Sequence, residues 1–332
     1  MKIAVDAMGG DNAPFEIVKG VHLASEHCKS NKDLEIVLIG DEAKILACFS
    51  ELDANLLNNV RIVHTDIEVT MEDDPMVVMK EKNNSSMAIG LKMLKNNEVD
   101  AFISAGSTGA LHAASTLIVR KIKGVRRSAI ASILPFDRPI LLLDSGANPT
   151  VTADILNQWA IIGSAYVNEM LGIDNPRVGL LNNGTEEHKG TPVAQEAYCL
   201  LKNNQYINFV GNIESREIPN SPCDVLITDG FTGNIALKLA EGMGAFFFST
   251  LKKVYTTNTK TKISYLLVKK QLKGLKSTFS SSSYGGAPLL GLSKPVIKAH
   301  GSCKFENIFS AILQAINYSN SNIIEKVQKS LM

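Results

Sequence analysis

The stretch Ser104-Ala-Gly-Ser-Thr-Gly-Ala110 joins a short apolar run, Ala101 to Ser104, to a segment with apolar residues at 110, 113, 114, 117 and 118. That spacing predicts a strand that stops in a glycine turn and opens into a helix packed on a sheet. Gly106 and Gly109 let the backbone approach a ligand closely, and Ser107 and Thr108 stand at capping positions. The first helical N–H groups are then unpaired and sit at the positive end of the dipole. Phosphate is the natural guest of such a join, although an ordinary capped turn reads the same way.

Further polar loops gather the partners an anion would need. Asp6-Ala-Met-Gly-Gly-Asp11 carries Gly9 and Gly10, Asp144-Ser-Gly-Ala-Asn148 ends in an amide, and Asn182-Asn-Gly184 is followed by His188 and Lys189. Gly211 to Glu217, Asp229-Gly-Phe-Thr-Gly-Asn234 and Ala299-His-Gly-Ser302 complete the set. Lys189, with His188 or His300, supplies a cation; Asn148, Asn182 and Asn234 supply amides; Asp6, Asp11, Asp144 and Asp229 orient these donors. No acidic pair has recognised metal-ligand spacing, so no metal is expected.

Several standard sites are excluded. No Gly-x-Gly-x-x-Gly follows the first strand, Gly184 to Thr191 has Lys and Gly in the wrong order for a Walker A loop, and no Gly-x-Ser-x-Gly elbow occurs. No cofactor is therefore expected. Cys303 near His300 lacks a third group to orient the base, which favours packing over thiol chemistry, and Ser107 has no identifiable base.

These loops need a scaffold. Lys2–Asp6, Glu35–Gly40, Val60–Thr65, Ser128–Leu134, Pro139–Asp144, Arg177–Asn182, Tyr206–Val210 and Asp224–Thr228 read as strands. Helical patterns at 76–82, 86–95, 153–171, after Gly190 to about 203, and from 234 alternate with them. The expectation is an α/β protein with three layers and a mostly parallel sheet covered on both faces. Six of the polar loops would then follow strand carboxyl ends, the edge where open α/β sheets bind ligands. A single catalytic domain over residues 1–332 is expected, with a lysine-rich helical hairpin, 246–280, inserted in it.

The 332 residues are 45% hydrophobic, a globular composition. Five dispersed cysteines read as reduced thiols of a cytoplasmic protein, and no apolar run is long enough to span a bilayer. The start enters a strand pattern at once, with Asp6 where a signal core would be apolar. Net charge is +1, yet no acid occurs between Glu241 and Glu306, where lysines 252, 253, 260, 262, 269, 270, 273, 276, 294, 298 and 304 lie. Such asymmetry suits an anionic partner: nucleic acid, acidic protein or lipid head groups. Ile263-Ser-Tyr-Leu-Leu-Val268 within it reads as an apolar hairpin tip, and Ser280–Ser283 as a loop.

Taken together, Asp6–Asp11 with Ala13-Pro14, Ser104–Ala110, Leu143–Asn148, Leu180–Gly184 with Lys189-Gly190, Gly211–Glu214, Asp229–Asn234, Gly285–Gly291 and Ala299–Ser302 resemble the bacterial acyl-carrier-protein:phosphate acyltransferase family nearly end to end. Ser107 and Ser145 stand where that family usually has Asn and Val.

The resemblance implies a fold like that of isocitrate and isopropylmalate dehydrogenases, shared with phosphotransacetylase, and a homodimer. It also implies a cytoplasmic enzyme touching the membrane surface. Its substrates would be inorganic phosphate and a long-chain acyl group on acyl carrier protein, and its product an acyl phosphate for phosphatidic acid synthesis. Nucleic acid is then not a partner, whereas the downstream glycerol-3-phosphate acyltransferase is a candidate. On this basis the N–H groups of Gly106, Ser107, Thr108 and Gly109, with Lys189, hold phosphate. Asn234 or His300 serves the oxyanion or leaving sulfur, and Asp229 holds Asn234 or Lys189. Asp6, Gly9, Gly10, Asp11, Asn148, Asn182 and Gly233 belong to the pocket loops. Lys262, Ile263, Leu266, Leu267, Lys269 and Lys270 meet the carrier or the membrane. Two other readings remain: an acyl-coenzyme A phosphotransacetylase, and a non-catalytic membrane adaptor.

Overall fold

The computed structural model describes residues 1–29, 33–55, 57–136, 138–278 and 285–331. The Ser280–Ser283 loop lies outside the described residues. In chain order the first elements are β1 (Lys2–Asp6), α1 (Phe15–His27), β2 (Glu35–Gly40), α2 (Glu42–Glu51), β3 (Val60–His64), α3 (Ser86–Lys95), β4 (Ala101–Ser104) and α4 (Thr108–Ile118). Then come β5 (Ala129–Pro135), β6 (Pro139–Leu143), α5 (Ala153–Leu171), β7 (Arg177–Asn182), α6 (Pro192–Lys202), β8 (Asn208–Glu214) and β9 (Val225–Ile227). The chain continues through α7 (Gly230–Thr256), α8 (Thr259–Thr278), β10 (Ala287–Leu290), β11 (Val296–Lys298), α9 (Phe305–Asn320) and α10 (Ile323–Ser330).

Local chemistry explains most boundaries. Asp41, Ser85, Ser107, Thr191 and Asp229 each cap a helix by accepting a backbone N–H of its first turn. Gly172 closes α5 in the left-handed conformation. Residues 76–82 do not form the expected helix; a single 3₁₀ turn, Val77–Met79, is all that appears, since only Val78 is buried there and no apolar face exists to pack. Gly211–Glu214, expected as a loop, is the second half of β8.

The eleven strands among the described residues share one sheet, ordered β3-β2-β1-β4-β11-β10-β5-β6-β9-β7-β8. Strands β3 to β11 in that order form one parallel block, and β6-β9-β7-β8 form another. Between them lie three antiparallel pairings, β11 with β10, β10 with β5, and β5 with β6, so the two blocks point in opposite directions. In a flat sheet their carboxyl ends would face opposite edges. Stagger at the joint brings two of them together: Ala287 and Pro288 of β10 pair with β11, while its Leu289 and Leu290 pair with the start of β5, beside which β6 ends.

Side-chain alternation divides the core into layers. Leu141 and Leu143 of β6 face a cluster shared with α5, α6 and α10, whereas Ile140 and Leu142 face a smaller cluster with Ile213, Ile218 and Leu226. The other block packs α1, α2 and α9 on one face and α3 and α4 on the other. The hairpin helices run 230–256 and 259–278, so the first begins at Gly230 and not at Phe246. No described helix is long and apolar enough to cross a membrane.

Candidate functional site

At the joint between the blocks a cavity of about 520 Å³ collects loops from both. Asp11, Thr108, Lys298 and His300 come from the first block, Ser145, Gly146 and Asn234 from the second, and Ser132 and Ile133 from β5. Lys298 lines the cavity as the last residue of β11, beside Ser104 and Asp6, the last residues of the neighbouring β4 and β1. Ser104 Oγ donates to Asp6 Oδ2 at 2.7 Å and accepts the Gly106 N–H at 3.0 Å. Burial pushes the Asp6 carboxyl above the usual carboxylate range, partly offset by hydrogen bonds from serine and backbone donors.

The turn into α4 sits against the loop after β1. A Cβ on Gly9 would lie 2.6 Å from Asp6 Oδ2 and 2.7 Å from the Gly106 nitrogen, so only glycine admits this contact. Ser107 Oγ accepts the Ala110 N–H at 3.5 Å. The N–H groups of Ser107, Thr108 and Gly109 have no acceptor among the described residues. Gly106, by contrast, has spent its N–H on Ser104 Oγ and is not among the free donors of this turn.

Across the cavity, Asp144 organises the second wall. Its carboxylate accepts from the backbone of Ile130, Gly146, Ala147 and Asn148 and from Asn148 Nδ2, at 2.7–3.1 Å. Asn148 Nδ2 also donates to Ser128 O, so this amide is structural and leaves no proton for a ligand. A Cβ on Gly233 would fall 1.9 Å from Asp144 O, which explains glycine where α7 starts against that loop. The next residue, Asn234, stands beside Gly146, and its amide has no partner among the described residues. His300 Nδ1 accepts the Ser302 N–H at 3.3 Å, which assigns the proton of the neutral ring to Nε2.

Other expected site residues are elsewhere. Asp229 does not hold Asn234 or Lys189; it caps α7 through Thr232 N and Oγ1 at 2.8 and 2.7 Å. Asn182 folds its own loop, donating to Lys189 O and accepting from Asn183 N. Lys189 does not line the cavity. It follows β7, which lies beyond β9 and so two strand spacings, about 10 Å, from β6. Cys303 is buried and pushed up to about 11 by burial, which leaves it a packing residue and not a thiolate.

On the hairpin, Lys262, Ile263, Leu266, Leu267, Lys269 and Lys270 are all exposed. The turn is at Thr257–Asn258, so these residues run along α8 and do not form its tip. One residue escaped attention among the basic stretch: Lys298 is not on a solvated face but 7% exposed at the end of β11. Its signal was the surrounding apolar strand, Val296-Ile-Lys-Ala299.

A second cavity of about 520 Å³ lies between α5, α6 and the C-terminal residues. Its amides are already committed, Asn204 to Asn157, and Gln158 to Arg126 N and Gly124 O. The cavity at the joint is therefore the site of interest.

Residues 1–326 match the family model described as fatty acid synthesis protein. The chain belongs to this family. Curated relatives include a phosphate acyltransferase of Caldanaerobacter subterraneus, 43% identical over 332 residues covering 100% of this chain and 97% of that one. Another, of Streptococcus thermophilus, is 45% identical over 328 residues, covering 98% and 96%. Membership thus places the chain among acyltransferases. Among solved structures, a phosphotransacetylase from Streptococcus pyogenes aligns with a TM-score of 0.62 at 17% identity, covering 99% of this chain and 93% of that one. EutD phosphotransacetylase from Staphylococcus aureus aligns at 0.59, also at 17% identity, covering 96% and 93%. At that identity the likeness speaks for the fold alone, and it agrees with the sheet architecture expected from the sequence.

Proposed function

We propose that the chain transfers a long-chain acyl group from acyl carrier protein to inorganic phosphate, releasing acyl phosphate for phospholipid synthesis. The observation that carries this reading is the meeting, in one cavity, of Thr108 at the start of α4, whose N–H is free among the described residues, with the uncommitted amide of Asn234 and the Nε2 donor of His300. Phosphate needs no strong base, because phosphoryl groups with a second pKa of about 6 are largely dianionic near neutrality. Ser107, Thr108 and Gly109 hold it through their backbone N–H groups. One phosphate oxygen attacks the thioester carbonyl; the new O–C bond forms, the C–S bond breaks, and the carrier thiolate leaves to be protonated. Asn234 and His300 face the oxyanion and the leaving sulfur, so catalysis is positioning plus fixed donors.

The hairpin supports the remaining parts of the reading. Phe231, Ile235, Leu239 and Met243 recur every four residues on α7 and are all more than half exposed, which suits pairing with a second copy in a homodimer. Ile263, Leu266 and Leu267 on α8, flanked by lysines, suit an anionic membrane surface or an acidic carrier. The chain would accordingly work in the cytoplasm, peripherally attached to the membrane.

The test is incubation of the purified chain with palmitoyl-acyl carrier protein and inorganic phosphate. Phosphate-dependent release of carrier thiol, with acyl phosphate trapped by hydroxylamine, is expected. Turnover with acyl-coenzyme A alone would assign a phosphotransacetylase, and no turnover with either donor would leave an adaptor.

A further inference from the structure

Lys298 is the feature the reaction as drawn leaves without a task. Its side chain is buried at the end of β11, in register with Ser104, and it lines the cavity. The ammonium donates to Ala105 O at 3.0 Å and to Ala299 O. Both acceptors are neutral carbonyls. Lys298 forms no ion pair with any described residue, although Lys82, Lys202 and Lys326, all more exposed, do. A buried cation without a counter-ion is rare, because burial penalises the charged form. An ammonium has three protons, and only two are used. Ala105, moreover, immediately precedes the turn whose N–H groups at 107–109 are free.

We infer that Lys298 is a cation of this pocket: its third N–H meets the bound phosphate while its grip on the Ala105 carbonyl sets the α4 turn. This rests on the reading of the cavity as a phosphate site. The groups facing Lys298 are Asp6 and Asp11 from β1 and its loop, and Cys303 from the loop after β11, with His300 beside it. Burial pulls the ammonium down to about 8 against the opposing pull of the nearby carboxylates Asp6 and Asp11. The free protein therefore loses the cation as pH rises through about 8, and phosphate capture falls with it.

Steady-state kinetics of the full chain with palmitoyl-acyl carrier protein and varied inorganic phosphate test this. Lys298→Met is expected to raise KM for phosphate about 10- to 150-fold, the loss of one charge-assisted hydrogen bond, with KM for the acyl donor unchanged. Wild-type kcat/KM for phosphate has an alkaline limb near 8 that Lys298→Arg abolishes, because a guanidinium stays charged. An unchanged KM for phosphate in Lys298→Met, or a limb that persists in Lys298→Arg, overturns the inference. Should Lys298→Met not fold, the arginine profile decides alone. Titration of inorganic phosphate by ³¹P NMR separates the two claims. Phosphate binding that depends on Lys298 without turnover would sink the acyl-transfer reading and keep the inference; turnover indifferent to Lys298 would do the reverse.

Discussion

The cavity and the α7–α8 hairpin are built on opposite principles within one chain. Around the cavity, glycines at 9 and 233 press backbone against backbone, and Asp144 alone collects five donors. Among the described residues, the N–H groups of residues 107–109, the Asn234 amide and the third ammonium proton of Lys298 are left without a partner beside these fixed groups. The hairpin holds almost nothing. Leu266 and Leu267 are 68% and 77% exposed, and no Cβ placed on Gly242 or Gly244 would touch anything within 4 Å. Donors that must wait for a developing charge have to be immobile beforehand. A docking surface needs only area, charge and sign, and tolerates mobility in its side chains.

Four variants, taken from the largest expected effect to the smallest, can break or sharpen that contrast. Gly233→Ala forces a methyl into Asp144 O, so it should displace the start of α7, abolish turnover and cost about 1–3 kcal/mol of stability. Its kcat and urea midpoint together measure this. Asn234→Ala should lower kcat about 10²- to 10³-fold while the thermal midpoint stays put, because the amide has no partner among the described residues to lose. Next comes the double change Leu266→Ser with Leu267→Ser: sedimentation with phosphatidylglycerol vesicles should weaken about 10- to 100-fold, with kcat on soluble acyl carrier protein unchanged. Equal loss of turnover would mean that the hairpin is part of the active site and that the contrast is false. Gly242→Ala, the same chemical change as Gly233→Ala on the same helix, should instead raise stability by about 0.5–1 kcal/mol, seen as a higher melting temperature.

The contrast also explains what could be read in advance. Asp6–Asp11, Ser104–Gly109 and Asp229–Asn234 are contiguous, so a strand, a glycine turn and a capped helix start could be recognised from neighbours alone. Asn148 was legible as a loop amide, but its commitment to Ser128 was not, since Ser128 lies 20 residues earlier, just before β5. Lys189 and Lys298 reverse the expectation for the same reason. A lysine in a polar loop reads as available and one in a basic stretch reads as solvated, yet strand order moves the first away from the cavity and buries the second in its lining.

The amino-acid sequence by itself determined the alternation of strands and helices, the polar loops that end them and the charge imbalance of the hairpin, because each depends on residues close together in the chain. Only the tertiary structure decided which loop ends meet. Three antiparallel pairings turn the second block against the first, and the stagger of β10 between β11 and β5 rejoins their carboxyl ends at one cavity. Pairing partners so distant in sequence are chosen by the packing of the whole sheet, which no local pattern encodes.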